Sequence, residues 1–176
     1  MERKRLSKFL SYILRHAPAP YGLPLDEKGY AELGQVFTIL KKRFTYFKDD
    51  DLNALIEHDS KGRFEIRGNK IRATYGHSIK VTPGSKSIVP PEVLFHGTSV
   101  ESAERILVQG LQPMGRQFVH LSGSRDDAYM VGRRHTNNPL ILTILAQEAA
   151  QSGIQFFKEG SVFLVKSLPK EFIQLI

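Results

Sequence analysis

The chain contains no cysteine. This absence excludes disulfide bonds, a thiol nucleophile and thiolate metal ligands. No apolar run approaches the roughly 20 residues that a membrane-spanning helix requires, and the first ten residues lack the apolar segment and cleavage site of a secretory signal. The HExxH pattern of zinc hydrolases is missing too, and the six histidines are scattered. We expect a cytoplasmic protein with no metal and no membrane partner, and we expect a monomer.

Positive charge is distributed unevenly along the 176 residues, whose net charge is +7. Residues 1–80 contain 16 Lys and Arg against 10 Asp and Glu, whereas residues 81–176 contain 9 against 8. A polyanion such as RNA would therefore be attracted mainly by the first half. A basic surface that only aids solubility explains the charge about equally well.

Helical patterns occupy most of the first 60 residues. Apolar residues over 3–16 follow one helix face, and the helix is expected to stop before Pro18. A turn at 26–29 and a second helix through residue 44 follow. A third helix is predicted to begin at the three aspartates 49–51, because the helix dipole favours negative charge at an N-terminus.

The periodicity then changes from helical to alternating. Apolar residues alternate on both sides of Gly68-Asn69, which predicts a β-hairpin. Three helices followed by a hairpin is the order of a winged helix-turn-helix, a module that often binds nucleic acid. A winged helix used only for protein contacts is the alternative for residues 1–80.

Residues 81–92 are rich in Pro, Gly and Ser and are typical of a linker. The GSKS stretch within it lacks the preceding glycine of a phosphate-binding loop. Residues 93–176 mix short apolar strands with helical stretches, which predicts a compact α+β lobe built on a sheet.

Two segments of the first lobe carry candidate functional side chains. Arg15-His16 ends the first helix, where the pair could either cap the helix or bind an anion. Arg72 and His77 lie on and just after the hairpin. Without a functional role, Arg72 would lie on a solvated face of the hairpin and His77 would occupy a turn.

Three segments of the second lobe carry further candidates. In FHGTS (95–99), glycine lets the backbone approach a ligand closely, so its N–H groups could bind an anion or an amide. The alternative is an ordinary helix cap by Thr98 or Ser99. VHLS (119–122) and VGRRH (131–135) are weak signals singly.

Taken in order, these segments resemble the RNA 2′-phosphotransferase family, the NAD-dependent enzymes that remove a 2′-phosphate from spliced tRNA. Tyr30 stands where that family usually has Trp, and Tyr75 replaces a more usual polar residue. The matching pieces run through nearly the whole chain and are LSYILRHAP, DEKGY, IRATYGHS, LFHGTS, VHLS and AYMVGRRHTNNPLIL.

The resemblance implies an α+β fold in which a winged-helix RNA lobe (1–80) faces an ADP-ribosyltransferase-like NAD lobe (93–176) across a cleft. It also implies a catalytic quartet. The quartet falls on Arg15, His16, Arg72 and Arg134, although the adjacent Arg133 leaves the fourth position open. Arginines suit a 2′-phosphate, because guanidinium groups bind its oxygens in bidentate, charge-assisted pairs and stay charged at pH 7.

The implied reaction uses NAD as a co-substrate and passes through an ADP-ribosylated RNA 2′-phosphate. Its products are nicotinamide, 2′-OH RNA and ADP-ribose 1″,2″-cyclic phosphate. The residues implied to bind NAD are His96, Gly97, Thr98, His120, Leu121 and Ser122. Those implied to contact the RNA substrate are His77, Ser78 and Arg133.

Two other functions compete with this interpretation. One is an ADP-ribosyltransferase for nucleic acid or protein that stops after the first step; such enzymes rely on a glutamate late in the fold. Glu159 lies in a suitable region, but we expect it to be an exposed loop charge. The other is a winged-helix regulator that binds nucleic acid without catalysis.

Overall fold

The computed structural model describes residues 3–175 and divides into two compact units, Met1–Gly84 and Ser85–Ile176. The boundary between them falls inside the segment 81–92. Each unit combines helices with an antiparallel sheet, so the expected α+β class is confirmed. Within 3–175, no helix is both long enough and apolar enough to cross a lipid bilayer.

The first unit contains the predicted helices and hairpin, together with one additional strand. Its elements are α1 (Arg3–Arg15), a 3₁₀ turn (Ala19–Tyr21), β1 (Tyr30–Glu32), α2 (Leu33–Arg43), α3 (Asp49–Glu57), β2 (Phe64–Arg67) and β3 (Lys70–Ala73).

Helix α1 forms because its apolar residues lie on one face, where Leu6, Leu10, Ile13 and Leu14 are all buried in the core of the unit. The chain leaves the helix at His16, whose N–H donates to the Tyr12 carbonyl oxygen at 3.0 Å. The prolines that follow then prevent another helical turn. Helix α1 therefore delivers Arg15 and His16 to the edge of the core.

The strand β1 differs from the sequence prediction, which has a helix directly after the turn at 26–29. Gly29 has a φ of +80°, which glycine adopts without strain, and it turns the chain into an extended conformation. Tyr30 and Ala31 are buried and pair with β3, in a sheet of order β1-β3-β2. Tertiary pairing therefore delays the second helix to Leu33.

The second unit is built on a six-stranded antiparallel sheet of order β7-β8-β5-β4-β6-β9. Its core includes Leu94, Leu121, Leu142 and Phe156. The elements are β4 (Leu94–Thr98), α4 (Val100–Gln109), β5 (Val119–Ser122), α5 (Arg125–Gly132), β6 (Leu140–Ile144), α6 (Ala146–Gln151), β7 (Phe156–Glu159), β8 (Val162–Val165), a 3₁₀ turn (Lys170–Phe172) and β9 (Ile173–Leu175).

Candidate active site

The end of α1 and the segment after the hairpin meet in the first unit, although they are more than 60 residues apart in sequence. The Ser78 N–H donates to the Arg15 carbonyl oxygen at 3.0 Å. The Nδ1 atom of His16 lies 3.0 Å from the Ser78 hydroxyl oxygen. The LRH and GHS motifs therefore form one cluster, and backbone from the second motif caps the helix end.

The Arg15 side chain lies against aromatic rings and a glycine. Its guanidinium carbon is 5.1 Å from the centre of the Tyr75 ring and 5.9 Å from that of Phe64, both cation–π distances. Gly76 has a φ of +89°, and a Cβ there would lie 3.3 Å from Nη1 of Arg15. These neighbours restrict the guanidinium to a narrow space, so Arg15 does more than complement a helix dipole.

Arg72 is buried, with 4% of its surface exposed, so the alternative of a solvated hairpin arginine is wrong. Its Nε donates to Oε2 of Glu65 at 2.7 Å, and the Tyr30 hydroxyl donates to the same oxygen at 2.9 Å. The guanidinium carbon also lies 5.1 Å from the centre of the Tyr30 ring. Glu65 and Tyr30 therefore fix the orientation of Arg72.

Glu65 is ionised at neutral pH in this arrangement. Burial alone would raise the pKa of its carboxyl group, but hydrogen bonds from Arg72, Tyr30 and Arg67 outweigh burial and hold the pKa below its usual value. The carboxylate thus compensates the buried charge of Arg72, which would otherwise be costly to desolvate.

Gly84 closes the other side of the Arg72 guanidinium. A methyl group on Gly84 would overlap the guanidinium carbon and both terminal nitrogens. The linker glycine is therefore required by contact with a candidate catalytic residue. The phosphate-loop interpretation rejected from the sequence plays no part in this contact.

His77 lies among the positive groups of the cluster. It is buried, and the chain at this residue does not form a turn, so the alternative of a turn position is wrong. Burial, together with the charges of Arg15, Arg72 and His16, lowers its pKa to about 4. His77 is therefore neutral at pH 7, and its Nε2 has no hydrogen-bond partner among residues 3–175. The same positive field that opposes protonation of His77 would stabilise a bound phosphate.

Two neighbouring strands of the second unit carry the residues expected to bind NAD. His96, Gly97 and Thr98 end β4, and the other three lie on β5, which pairs with β4 at Phe95 and Ser122. Leu121 is buried in the core, so its side chain supports the strand and only its backbone can face a ligand. The structure thus brings the six residues onto adjacent strands.

These six residues do not share one face of the sheet. Because successive side chains alternate, Gly97 lies on the face of Phe95 and Ser122, whereas His96 and Thr98 lie on the face of the core residue Leu94. The sequence motifs could not distinguish the two faces, because their order in the chain carries no register.

His96 is held in one tautomer by β5. Burial lowers the pKa of His96, and the charge of His135 lowers it further. The hydrogen bond to the His120 carbonyl oxygen, at 3.2 Å, acts in the opposite direction. Since a carbonyl can only accept, Nδ1 of His96 carries the proton. Its Nε2 is then an acceptor. On β5, His120 accepts from Arg116 through its own Nδ1, at 3.4 Å.

Gly97 and Gly132 bring β4 and α5 into close contact. A Cβ on Gly97 would overlap the Ala128 carbonyl oxygen, and one on Gly132 would lie 3.3 Å from Cα of Gly97. The glycine of the FHGTS segment is therefore explained by helix packing. The same contact fixes where α5 ends and where the two arginines after it begin.

Arg133 and Arg134 follow α5 directly and both are exposed. Nη1 of Arg133 donates to the Asn137 carbonyl oxygen at 2.9 Å, which ties it to its own loop. The Arg134 side chain makes no hydrogen bond or ion pair within the described part of the chain. Its guanidinium donors are therefore available to a ligand.

Two other sequence interpretations are resolved in the second unit. The Ser99 hydroxyl accepts from the Ser102 N–H at 3.3 Å, so Ser99 caps α4 as the alternative for this segment supposed. Glu159 is only 3% exposed and accepts from the Ser85 N–H at 2.6 Å, so the expectation of an exposed loop charge is wrong.

Across residues 3–175, no three His, Asp or Glu side chains are grouped so as to hold a metal ion.

Comparison with known proteins identifies the family. The family model described as RNA 2'-phosphotransferase, Tpt1 / KptA family, matches residues 1–166. The chain belongs to the RNA 2′-phosphotransferase family. The resemblance inferred from the sequence motifs is therefore confirmed. The general activity of this RNA 2′-phosphotransferase family member is 2′-phosphate transfer, with RNA as the substrate class.

Curated relatives agree over nearly full length. The probable RNA 2'-phosphotransferase of Pyrococcus furiosus is 42% identical over 175 residues, which cover 99% of this chain and 96% of the relative. That of Acetivibrio thermocellus is 40% identical, with coverages of 99% and 97%. Probable RNA 2'-phosphotransferase 2 of Archaeoglobus fulgidus is 42% identical, with coverages of 99% and 81%.

Proposed function

We propose that this RNA 2′-phosphotransferase family enzyme transfers an internal RNA 2′-phosphate to NAD, with spliced tRNA as the type of substrate. The products are 2′-OH RNA, nicotinamide and ADP-ribose 1″,2″-cyclic phosphate. The observation that carries the proposal is the gathering of Arg15, His16 and Arg72 around His77 in the first unit. We further propose that this unit serves as a winged-helix RNA lobe and the second as an ADP-ribosyltransferase-like lobe.

The reaction has two substitutions. An oxygen of the RNA 2′-phosphate attacks the anomeric carbon of the nicotinamide ribose, and the carbon–nitrogen bond breaks to release neutral nicotinamide. The adjacent ribose 2″-hydroxyl then attacks phosphorus. The bond from phosphorus to the RNA 2′-oxygen breaks, and the hydroxyl proton finally resides on that oxygen. RNA is thereby released from its ADP-ribosylated 2′-phosphate.

Arg15 and Arg72 would hold the phosphate oxygens and stabilise the charge that builds on them in the second step. Their side chains are already oriented, Arg72 by Glu65 and Arg15 by Tyr75. Preorganised donors stabilise a transition state without reorganisation during the reaction. Arg134 is the fourth member of the quartet, consistent with its available donors.

His16 is the residue proposed to move the proton. Its Nδ1 is placed beside the Ser78 hydroxyl, which leaves Nε2 on the opposite edge of the ring. An imidazole ring can both accept and donate a proton, so His16 can exchange one with the ribose hydroxyl or the leaving 2′-oxygen. His77 is less suited, because its lowered pKa keeps it neutral. We assign His77 and Ser78 to substrate contact.

The second unit offers polar groups to a dinucleotide from both faces of the β4–β5 pair. His96 presents an Nε2 acceptor, and Thr98 adds a hydroxyl at the end of the same strand. His120 and Ser122 supply further polar groups from β5. NAD would supply the activated ribose carbon, since its nicotinamide is a cationic pyridinium while attached and leaves as a neutral molecule. For the competing transferase that relies on a late glutamate, the Ser85 N–H donates to Glu159, which gives this carboxylate a structural role.

Incubation with NAD and an oligoribonucleotide carrying one internal 2′-phosphate tests the proposal. We expect NAD-dependent conversion to 2′-OH RNA together with ADP-ribose cyclic phosphate, resolved by mass spectrometry. Accumulation of ADP-ribosylated RNA as the end product would instead identify the one-step transferase. Binding without any turnover would identify the regulator. A folded Arg72→Ala protein that turns over like the wild type would contradict the assignment of the cluster.

A further inference from the structure

An exposed ladder of aromatic rings lies on the first unit beside the candidate site. We call Tyr12, Tyr21, Phe9 and Phe44 the aromatic ladder. Ring centres are 6.4 Å apart for Tyr12 and Tyr21, 5.3 Å for Tyr21 and Phe9, and 5.5 Å for Phe9 and Phe44, all edge-to-face. The guanidinium carbon of Arg43 lies 5.6 Å from the ring centre of Phe44, the far end of the ladder, and 5.7 Å from that of Phe9.

The near end of the ladder is accessible to a ligand. Tyr12 is 47% exposed and Tyr21 is 36% exposed, whereas Phe9 and Phe44 are partly buried beneath them. Neither tyrosine belongs to the hydrophobic core of the unit. Neither tyrosine hydroxyl makes a hydrogen bond within the described residues that would explain its position.

The surface around the ladder is positively charged. Helix α1 carries Arg3, Lys4, Arg5, Lys8 and Arg15 and has no acidic residue within its bounds. The last turn of α2 adds Lys42 and Arg43, whereas the charge of its Lys41 is paired with Asp49 at 3.0 Å. This charge suits a polyanion and opposes a basic partner.

The ladder begins one helical turn from the residues proposed to bind the 2′-phosphate. Tyr12 precedes Arg15 by three positions and His16 by four, and side chains at those spacings are neighbours on a helix, about 5–6 Å apart at Cβ. The Tyr12 carbonyl oxygen accepts N–H bonds from both His16 and Ala17, so the backbone geometry between ring and cluster is fixed. A nucleotide held at the cluster would place an adjacent base within reach of the ring.

We propose that Tyr12 and Tyr21 bind an unpaired nucleobase of the RNA substrate next to the nucleotide that carries the 2′-phosphate. Single-stranded RNA is commonly recognised by stacking of splayed bases on aromatic side chains inside a positive surface. The enzyme would then select 2′-phosphates in unpaired segments. The inference rests on the proposed function only for the position of the phosphate.

Binding of a short single-stranded oligoribonucleotide with an internal 2′-phosphate, without NAD, tests the inference. A 2-aminopurine base beside the phosphorylated nucleotide reports stacking by quenching. We expect Tyr12→Ala and Tyr21→Ala each to raise Kd about tenfold and to relieve the quenching, since stacking of a base on an aromatic ring is worth about that much. Tyr12→Phe should keep the wild-type Kd, because the ring remains.

Tyr46→Ala is the matched control. Tyr46 is 87% exposed in the same unit and belongs to no ring pair of the ladder. It should bind RNA like the wild type. Equal Kd values for Tyr12→Ala, Tyr46→Ala and the wild type would overturn the inference and leave the ladder as a protein contact.

An abasic substitution at the same RNA position separates stacking from a general change in the protein. The abasic RNA should bind the wild type about tenfold more weakly and should bind Tyr12→Ala with no further loss. Additive losses would overturn the inference. Phosphate transfer to NAD is measured separately on the wild type. If the losses from Tyr12→Ala and from the abasic RNA are not additive but no phosphate is transferred, only the proposed function is rejected. If phosphate is transferred but the two losses are additive, only the base-binding site is rejected.

Discussion

Glu65 and Arg72 face each other across the β2–β3 hairpin and share a hydrogen bond of 2.7 Å between Oε2 and Nε. A cross-strand pair of opposite charge usually lies in solvent and contributes little. Here Arg72 is buried, so the carboxylate is needed to compensate its charge. The pair therefore couples the stability of the hairpin to the orientation of a proposed catalytic arginine.

Replacement of Glu65 by Gln tests this coupling. Gln keeps the size of the side chain and removes the charge, so Arg72 loses its ionic partner. We expect Glu65→Gln to lower the free energy of unfolding by about 1–3 kcal/mol. We also expect kcat to fall by more than KM rises, because substrate still reaches a guanidinium that is less well aligned. Urea denaturation and steady-state kinetics of phosphate transfer measure the two effects.

The matched control is Glu57→Gln, which removes an exposed acidic residue at the end of α3. It should change neither stability nor kcat appreciably. The loss of stability in Tyr30→Phe should lie between those of Glu57→Gln and Glu65→Gln, since this variant removes one hydrogen bond of about 1 kcal/mol and keeps the ring beside Arg72. A Glu65→Gln enzyme with wild-type kcat would show that Arg72 does not need the carboxylate.

The hairpin pattern in the sequence contains enough information to pair Glu65 with Arg72. The predicted turn at Gly68-Asn69 has two residues, and a two-residue turn fixes the register of the strands that it joins. Counting back from that turn places Glu65 opposite Arg72, as the structure has it. The sequence interpretation included the strands, the turn and the motif arginine, but it missed this cross-strand partner.

Other features depend on contacts that local patterns do not contain. The contact between Arg15 and Ser78 joins segments that only tertiary packing brings together. Strand β1 has only three residues, too few to show an alternating apolar pattern in the sequence. Its pairing with β3 decides its conformation. The burial of Glu159 likewise depends on the Ser85 N–H, which lies 74 residues earlier. Helix faces and hairpin alternation were predictable because they depend on near neighbours.

Gly84→Ala is expected to impair activity more than stability. The added methyl group overlaps the Arg72 guanidinium, which can move only by weakening its bond to Glu65. Since the guanidinium is the end of a flexible side chain, the fold can adapt. We expect kcat to fall at least tenfold, as for misplacement of a transition-state donor, with a change in Tm of only a few degrees.

Gly115→Ala provides the comparison for Gly84→Ala. A Cβ at Gly115 meets no atom within 4 Å, and this glycine needs no positive φ. It should leave both kcat and Tm unchanged. Equal kcat values for the two alanine variants would show that Arg72 tolerates displacement.

The lowered pKa of His77 predicts a loss of stability in mild acid. The unfolded chain protonates His77 near pH 6.5, whereas the folded unit resists protonation until about pH 4. Between these values the unfolded state binds more protons, so stability falls as pH falls. The difference corresponds to about 3 kcal/mol at most. His77→Gln should flatten the dependence of the unfolding free energy on pH between 6.5 and 4.5.

Two other groups must be separated from His77 in that measurement. The pKa of His96 is also lowered, so the second unit adds a slope of the same sign, which remains in the His77→Gln protein. The pKa of Glu65 is lowered from 4.5, so its contribution is lost only at lower pH. Histidine ring signals followed by NMR assign each step. A His77 ring that titrates near 6.5 in the folded protein would contradict the prediction.

The two consecutive arginines after α5 are expected to differ in their effects on catalysis. Arg133 donates to the Asn137 carbonyl oxygen and stabilises its loop, whereas Arg134 has its donors available. We expect Arg134→Ala to lower kcat by about 100-fold or more, as for loss of one transition-state donor, with little change in Tm. Arg133→Ala should lower kcat far less. The reverse order of the two kcat values would transfer the fourth catalytic position to Arg133, and Arg105→Ala, on the exposed face of α4, controls for the loss of a positive charge.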